Sequence, residues 1–417
     1  MAFIDADKLS YEIFSFLESK FLFTSSTAAS PTILGGGGGR IRVLSIDGGD
    51  RPSDVLLAAA ALDRLEATLR RHTGEPYARV ADLFDVAAGS GAGGVLAAML
   101  FTRGHDGRPL FSAADALHLL VAESRRRRGR GFACSRGGGL FRGVFRRPGG
   151  FFRRVFGDAT LRDSVKPILI PCYDLATAAP FLFSRADAVE ADGYDFRMWE
   201  VCAATCADTA AVEMRSVDGR TRVAAVGGGV AMANPTATAI THVLHNKQEF
   251  PFAAGLEDLL VVSLGAAPRE PAPTGVAELL RIASEGVADT VDQAVAMAFG
   301  HCNTNNYTRI QANNLMSGNC TPHLLNSKNL MRTMEDILSQ RHVESFLFRG
   351  KRLSEESNAR KLDHFASELI KEEERRKKNL IPIVIIKQVM TPRTSTATTI
   401  TTTTTVTTTA TTMSPVH

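Results

Sequence analysis

The run Gly89-Ser90-Gly91-Ala92-Gly93-Gly94 constrains this chain more than any other segment. It follows the apolar stretch Leu83 to Ala88 and opens the apolar, helix-like Val95 to Thr102. Glycines at this density let an extended segment turn sharply into a helix that packs back on it. The setting is that of a nucleophile elbow, G-x-S-x-G, in which a tight turn between strand and helix thrusts a serine into the open. Here the central residue is Gly91, which has no side chain to attack with. Ser90, one position away, is a weak surrogate, because a tight elbow aims adjacent side chains differently. A second run, Gly227-Gly228-Gly229, follows the strand-like Arg220 to Val226 and leads into Asn234-Pro235-Thr236.

The same glycines satisfy G-x-G-x-x-G at Gly89, Gly91 and Gly94, so a nucleotide-binding module is a distant alternative. That fingerprint calls for a second strand about 20 residues on, ending in an acid that binds the ribose. The chain instead runs into the loop Arg103-Gly104-His105-Asp106-Gly107-Arg108-Pro109 and then another helix. The run also does not follow the first strand of its domain.

Around these runs, strand-like and helical segments alternate. Ile41 to Ile46 reads as a strand, Asp54 to Arg71 as a helix, and Ser112 to Glu123 as another helix. Ile168 to Tyr173 and Phe181 to Ser184 read as strands, Trp199 to Cys206 and Asn234 to His245 as helices. Leu259 to Leu264 is a continuous apolar run, the pattern of a strand buried on both faces. This alternation predicts an α/β domain with a mostly parallel sheet. The expected organisation is an N-terminal amphipathic helix (1–23), a Gly-rich linker (24–40), a main domain (41–330), a C-terminal helical extension (331–389) and a Thr-rich tail (390–417). Within the extension, Lys351 to Lys378 reads as a charged helix and Ile381 to Val389 as β-like. The tail holds fifteen Thr between 391 and 412 and too few large apolar groups to order itself.

Charge is distributed unevenly. Residues 124–156 hold eleven Arg and no acid, so the rest of the chain is net −7 against a total of +4. Phe132, Phe141, Phe145, Phe151, Phe152 and Phe156 interleave with those arginines. Cations with aromatic anchors suit an anionic membrane surface, where each contributes about 1 kcal/mol. Arg146, Arg147, Phe151, Phe152, Arg153 and Arg154 are the candidate membrane contacts. A solvated loop insertion is the competing reading, and nucleic acid is not expected. Asp5, Asp7 and Glu12 interrupt any signal-peptide core, and no apolar run approaches the roughly 20 residues needed to span a bilayer. The six cysteines, Cys134, Cys172, Cys202, Cys206, Cys302 and Cys320, lack metal-site or disulfide spacing. The expectation is a cytoplasmic protein, peripherally membrane-associated at most, with no metal and no cofactor.

Seven separated segments resemble one family. They are Leu44-Ser45-Ile46-Asp47-Gly48-Gly49, Phe84 to Gly89, Lys166 to Leu175, Asn234-Pro235-Thr236, Thr241 to Pro251, Leu260 to Gly265 and Tyr307 to Asn313. In this order, over about residues 8 to 370, they resemble the plant patatin-like proteins, a family of lipid acyl hydrolases acting on phospholipids and galactolipids. The likeness is closest to a subgroup with Gly in place of the elbow Ser. It implies a three-layer α/β/α sandwich and a Ser–Asp dyad, with glycine-rich backbone N–H groups holding the oxyanion.

Carried onto this chain, the nucleophile position falls on Gly91 and the base position on Gly227. The oxyanion loop falls on Gly48, Gly49 and Asp50, where the family has a third glycine. Losing a serine nucleophile costs on the order of 10⁶ in kcat. A carboxylate at Asp50, about 4 Å from a developing oxyanion, would oppose it by roughly 4 kcal/mol. The chain is therefore expected to be an inactive or strongly impaired acyl hydrolase, the alternative being an acyl-lipid- or membrane-binding regulatory protein. Asp47 or Asp50 could in principle activate a water, but turn and helix-start roles fit them better. His242 and His245 read as packing groups.

Overall fold

The computed structural model describes residues 39–49, 55–128, 150–207, 210–266, 275–302, 306–311, 335–336, 338–346, 350–379 and 382–387. The expected N-terminal helix, most of the glycine linker, the greater part of the Arg-rich segment and the Thr-rich tail lie outside them.

The central sheet takes its parallel strands from the apolar runs. β1 (Ile41–Ile46) pairs in parallel with β2 (Val86–Gly89) on one side and β7 (Leu259–Leu264) on the other. β2 continues in parallel to β3 (Ile168–Asp174), and β7 to β8 (Tyr307–Ile310). The order is β5-β6-β3-β2-β1-β7-β8, with β4 (Ala179–Ser184) also on β3. β4, β5 (Val212–Arg215) and β6 (Arg222–Val226) join antiparallel, so the sheet is parallel at its centre and mixed at one edge.

Period-two alternation explains why the apolar runs are unbroken. In β1, Ile41 and Val43 enter one core while Leu44 and Ile46 enter another. In β7, Leu259 and Val261 fall on the first side and Leu260, Val262 and Leu264 on the second. Each strand thus buries both faces, and helices must cover both. One layer holds α1 (Leu56–Thr73), the single turn α2 (Val80–Leu83), α3 (Gly91–Phe101), α4 (Ala113–Arg128), α5 (Gly150–Phe156), α6 (Arg185–Glu190) and α7 (Met198–Thr205). The other carries the single turn α8 (Gly228–Ala231), α9 (Thr236–His245) and α10 (Val276–His301), whose Ala239, Ile240, Val243, Val295 and Phe299 fill the smaller core. This is the three-layer α/β/α sandwich.

The C-terminal region departs from expectation. The segment read as one charged helix from Lys351 begins as a strand: β9 (Arg341–Phe346) and β10 (Gly350–Ser357) form an antiparallel hairpin. The helix α11 (Asn358–Lys378) starts only after Ser357, whose Oγ accepts the Arg360 N–H. Charge density concealed the strand, because an exposed hairpin needs no apolar face. The described part of the β-like 381–389 segment, 382–387, forms no strand; Ile385 N–H instead donates to the Glu249 carbonyl. α11 belongs to the main core, with Leu362, Phe365 and Leu369 buried in it. Its last turns clamp the start of β1: Arg376 bonds both oxygens of buried Asp85, and Glu372 accepts the Arg40 N–H.

Candidate functional site

The two glycine runs meet at the carboxyl ends of the central strands. β2 ends at Gly89, Ser90 is the residue before α3, and Gly91 begins the helix with φ +52°. Only glycine takes that left-handed conformation without cost; another residue there carries about 1–2 kcal/mol of strain. A Cβ built on Gly91 would lie 3.1 Å from the carbonyl oxygen and 3.3 Å from the nitrogen of Gly49. A side chain at position 91 would therefore face the Gly48–Gly49 loop. Gly93 serves a different need: a Cβ there would run into the carbonyl oxygens of Ile46 and Asp47, so its absence lets α3 press onto the end of β1.

Ser90 does not take over. Its side chain is fully buried, and its Oγ makes no hydrogen bond among the described residues. It sits beneath the loop, 3.1 Å from where a Gly48 Cβ would be. A hydroxyl with no base in contact and no path to solvent is not an activated nucleophile.

Gly227 stands at the end of β6, just before α8, with an ordinary backbone conformation (φ −53°, ψ 134°). The obstacle there is space. A Cβ on Gly227 would come closer than 3 Å to the Ala207 carbonyl oxygen, a separation that real Cβ atoms do not show. A Cβ on Gly228 would meet the Pro171 carbonyl and sit 2.6 Å from Thr205 Oγ1. The end of α7 has closed over the second glycine run. Thr205 connects the two runs, because its buried Oγ1 also accepts the Gly91 N–H at 2.9 Å.

A buried polar network underlies the loop. Arg309, on β8, grips Asp47 with two parallel bonds, Nη1 to Oδ1 at 2.9 Å and Nη2 to Oδ2 at 2.5 Å. Its Nη1 also donates to Ser263 Oγ at 2.7 Å. Against the cost of its own burial, Arg309 has its pKa pushed up by Asp47, so the guanidinium stays charged. Thr236 Oγ1 lies 2.8 Å from Ser45 Oγ, 2.9 Å from Ser263 Oγ and 2.5 Å from Asn234 Oδ1. Tyr307 donates its hydroxyl to Asp292 at 2.5 Å. Asp47 is thereby committed to holding β1 and β8 together and is not placed to act as a base. His242 lies against Phe250, and burial, with Lys387 adding to it, lowers its pKa to about 4. Its nearest hydrogen-bonding neighbour is Asn246, not the glycine runs.

Of the expected site residues, Gly48, Gly49, Ser90, Gly91 and Gly227 come together. Asp50, Arg146 and Arg147 lie outside the described residues. The expected membrane anchors Phe151 and Phe152 need correction: they are 7 % and 1 % exposed and belong to the larger core. Their spacing reflects the buried face of α5, which leaves Arg153 and Arg154 exposed. Thr205 and Arg309 were missed. Arg309, at least, is a lone cation alternating with Tyr307 in a strand, a sign of a buried partner.

The family described as "Patatin-like phospholipase" matches residues 33–240. "Patatin-like protein 3" of Oryza sativa subsp. indica is 54% identical over 396 residues, covering 90% of this chain and 93% of the rice protein. "Patatin-like protein 7" of Arabidopsis thaliana is 47% identical, covering 92% of this chain and 85% of that one. "Probable inactive patatin-like protein 9", also of Arabidopsis thaliana, is 39% identical and covers 88% and 93%. Among the described residues no helix is long and apolar enough to cross a membrane.

Proposed function

The chain belongs to the patatin-like phospholipase family, and we propose that it is a member whose ester hydrolysis is lost or reduced to a trace. What supports this reading is glycine at 91 and 227, the positions that the resemblance gives to nucleophile and base, the second with no room for a side chain. Backbone donors alone can leave about 10³ to 10⁴ of acceleration over water, far below what a nucleophile adds. A relative of similar coverage that is named as inactive is consistent with it.

What remains beside the start of α3 is the Gly48–Gly49 loop, where the N–H groups of Gly48, Gly91 and Ala92 are already bonded to Ala233, Thr205 and Gly49, so that an acyl carbonyl entering it is left the Gly49 N–H as its backbone donor. The proposed role is acyl-lipid binding by a cytoplasmic protein, without turnover. The test pairs two measurements on the purified full chain. Hydrolysis of a p-nitrophenyl acyl ester is expected at the background rate, while a fluorescent fatty acid binds saturably and is displaced by unlabelled oleate. Turnover above background that disappears in Ser90→Ala would restore the enzyme reading; absence of fatty-acid binding would remove the acyl-lipid role.

A further inference from the structure

At the β5 edge of the sheet, the β5–β6 hairpin and the start of α7 surround an open cavity of about 370 Å³. Arg197, Arg215 and Arg222 line it with Glu200, Glu213 and Met214. Arg215 and Arg222 stand directly opposite each other in the antiparallel register. Like charges so placed destabilise a hairpin unless something neutralises them. Among the described residues neither Arg215 nor Arg222 is within ion-pair distance of a carboxylate, while Arg197 interacts electrostatically with Glu200 on the same wall. Nearby arginines behave differently, Arg162 pairing with Asp192 at 2.6 Å and Arg220 with Asp218 at 3.5 Å. The two arginines that face each other across the hairpin, Arg215 and Arg222, are left to the cavity.

Charge continues outward from it. Arg153 reaches from α5 over the ring of Trp199, on α7, at 5.8 Å. In the sequence, α5 ends the eleven-arginine stretch of 124–156. From Arg197 to Thr205 the axis of α7 spans about 12 Å, so the cavity is a separate place from the glycine runs.

We propose that this cavity binds a phosphate-bearing anion, held by the forked donors of Arg197, Arg215 and Arg222. Guanidinium is the side chain whose planar donor pairs match phosphate oxygens. Glu200 and Glu213 keep the walls from being uniformly basic, which favours a compact phosphate that also carries hydroxyl groups. Glycerophosphate, free or as the headgroup of a lipid, has that chemistry. This inference does not rest on any reading of the Gly91 cleft.

The experiment has two arms on the full chain. Soluble sn-glycerol 3-phosphate is titrated calorimetrically, and flotation is measured with phosphatidylcholine vesicles with and without phosphatidylglycerol. The Arg215→Ser/Arg222→Ser variant is compared with Arg220→Ser, which alters a neighbouring cation outside the cavity. Binding in either arm is expected to weaken about thirtyfold in the double variant and to persist in Arg220→Ser. Calorimetric binding identifies the soluble ester as sufficient; binding only to phosphatidylglycerol vesicles identifies the lipid headgroup. Wild-type protein that binds neither probe, or a double variant that binds as the wild type does, overturns the proposal. Unfolding of both variants by denaturant, expected at the wild-type midpoint or above it once the Arg215–Arg222 repulsion is removed, separates lost binding from lost structure.

Discussion

The hydroxyl of Thr205 accepts the backbone N–H of Gly91 at 2.9 Å, while the same oxygen lies 2.6 Å from where a Cβ on Gly228 would stand. One buried threonine at the end of α7 thus fits between the two glycine runs and holds them in place. Gly227 is not merely without a side chain; the space one would take is occupied by the Ala207 carbonyl.

Restoring the dyad should therefore fail to restore the chemistry. Gly91→Ser is expected to fold with about 1–2 kcal/mol of destabilisation from its left-handed backbone. Adding Gly227→Asp should cost a further 1–3 kcal/mol or so, because α7 must move away from Ala207. Ester hydrolysis should stay at background in both. Recovery of activity without loss of melting temperature would show that the Ala207 carbonyl is easily displaced.

Thr205→Val removes the acceptor of the Gly91 N–H while keeping the shape. A buried donor left unpaired costs about 1–3 kcal/mol, and Thr205→Ser should recover most of it. Denaturant unfolding of the two variants checks this, and equal midpoints would deny Thr205 its connecting role.

Breaking the Asp47–Arg309 pair leaves one buried charge alone. Asp47→Leu and Arg309→Met should each destabilise by about 3–5 kcal/mol, whereas the two combined should cost less than either. A double-mutant cycle measured by chemical denaturation gives the coupling.

Acid should weaken the fold through His342. It is 2 % exposed and close to Asn358, and burial, with Lys361 adding to it, lowers its pKa to about 4. The unfolded chain takes up this proton near pH 6.5, before the folded one does. Its contribution is complete above pH 6.5 and is lost as pH falls toward 4, by up to about 3 kcal/mol. Asp85 behaves differently: burial would raise its pKa, but Arg376 and Arg42 outweigh it and lower it to about 2. Its contribution is present above about pH 4 and is lost only as pH falls on toward 2. Stability curves for the wild type and His342→Gln should run parallel above pH 6.5, and between there and pH 4 the wild type should lose up to about 3 kcal/mol that the variant does not.

The glycine elbow, the apolar strands and their alternation with helices were legible because each rests on local chemistry. Gly91 needs a positive φ, and the unbroken run Leu259 to Leu264 needs two cores, whatever the rest of the chain does. Lys351 to Ser357 was misread because charge density is shared by exposed helices and exposed hairpins. Phe151 and Phe152 were misread because interleaved Arg and Phe describe a membrane anchor and an amphipathic helix equally well. Thr205 had no signal, since its partners lie 114 residues away at Gly91 and beyond Val226.

By itself, then, the sequence determined the layered α/β architecture and that positions 91 and 227, to which the resemblance assigns nucleophile and base, carry no side chain. A side chain that is not encoded cannot be supplied by folding. Only the tertiary structure decided that the base position is closed rather than vacant, that Asp47 is bound by Arg309, and that Arg197, Arg215 and Arg222 share one cavity. Those facts depend on which distant backbones and charges come within a few ångströms, and packing of the two helical layers on the sheet sets that.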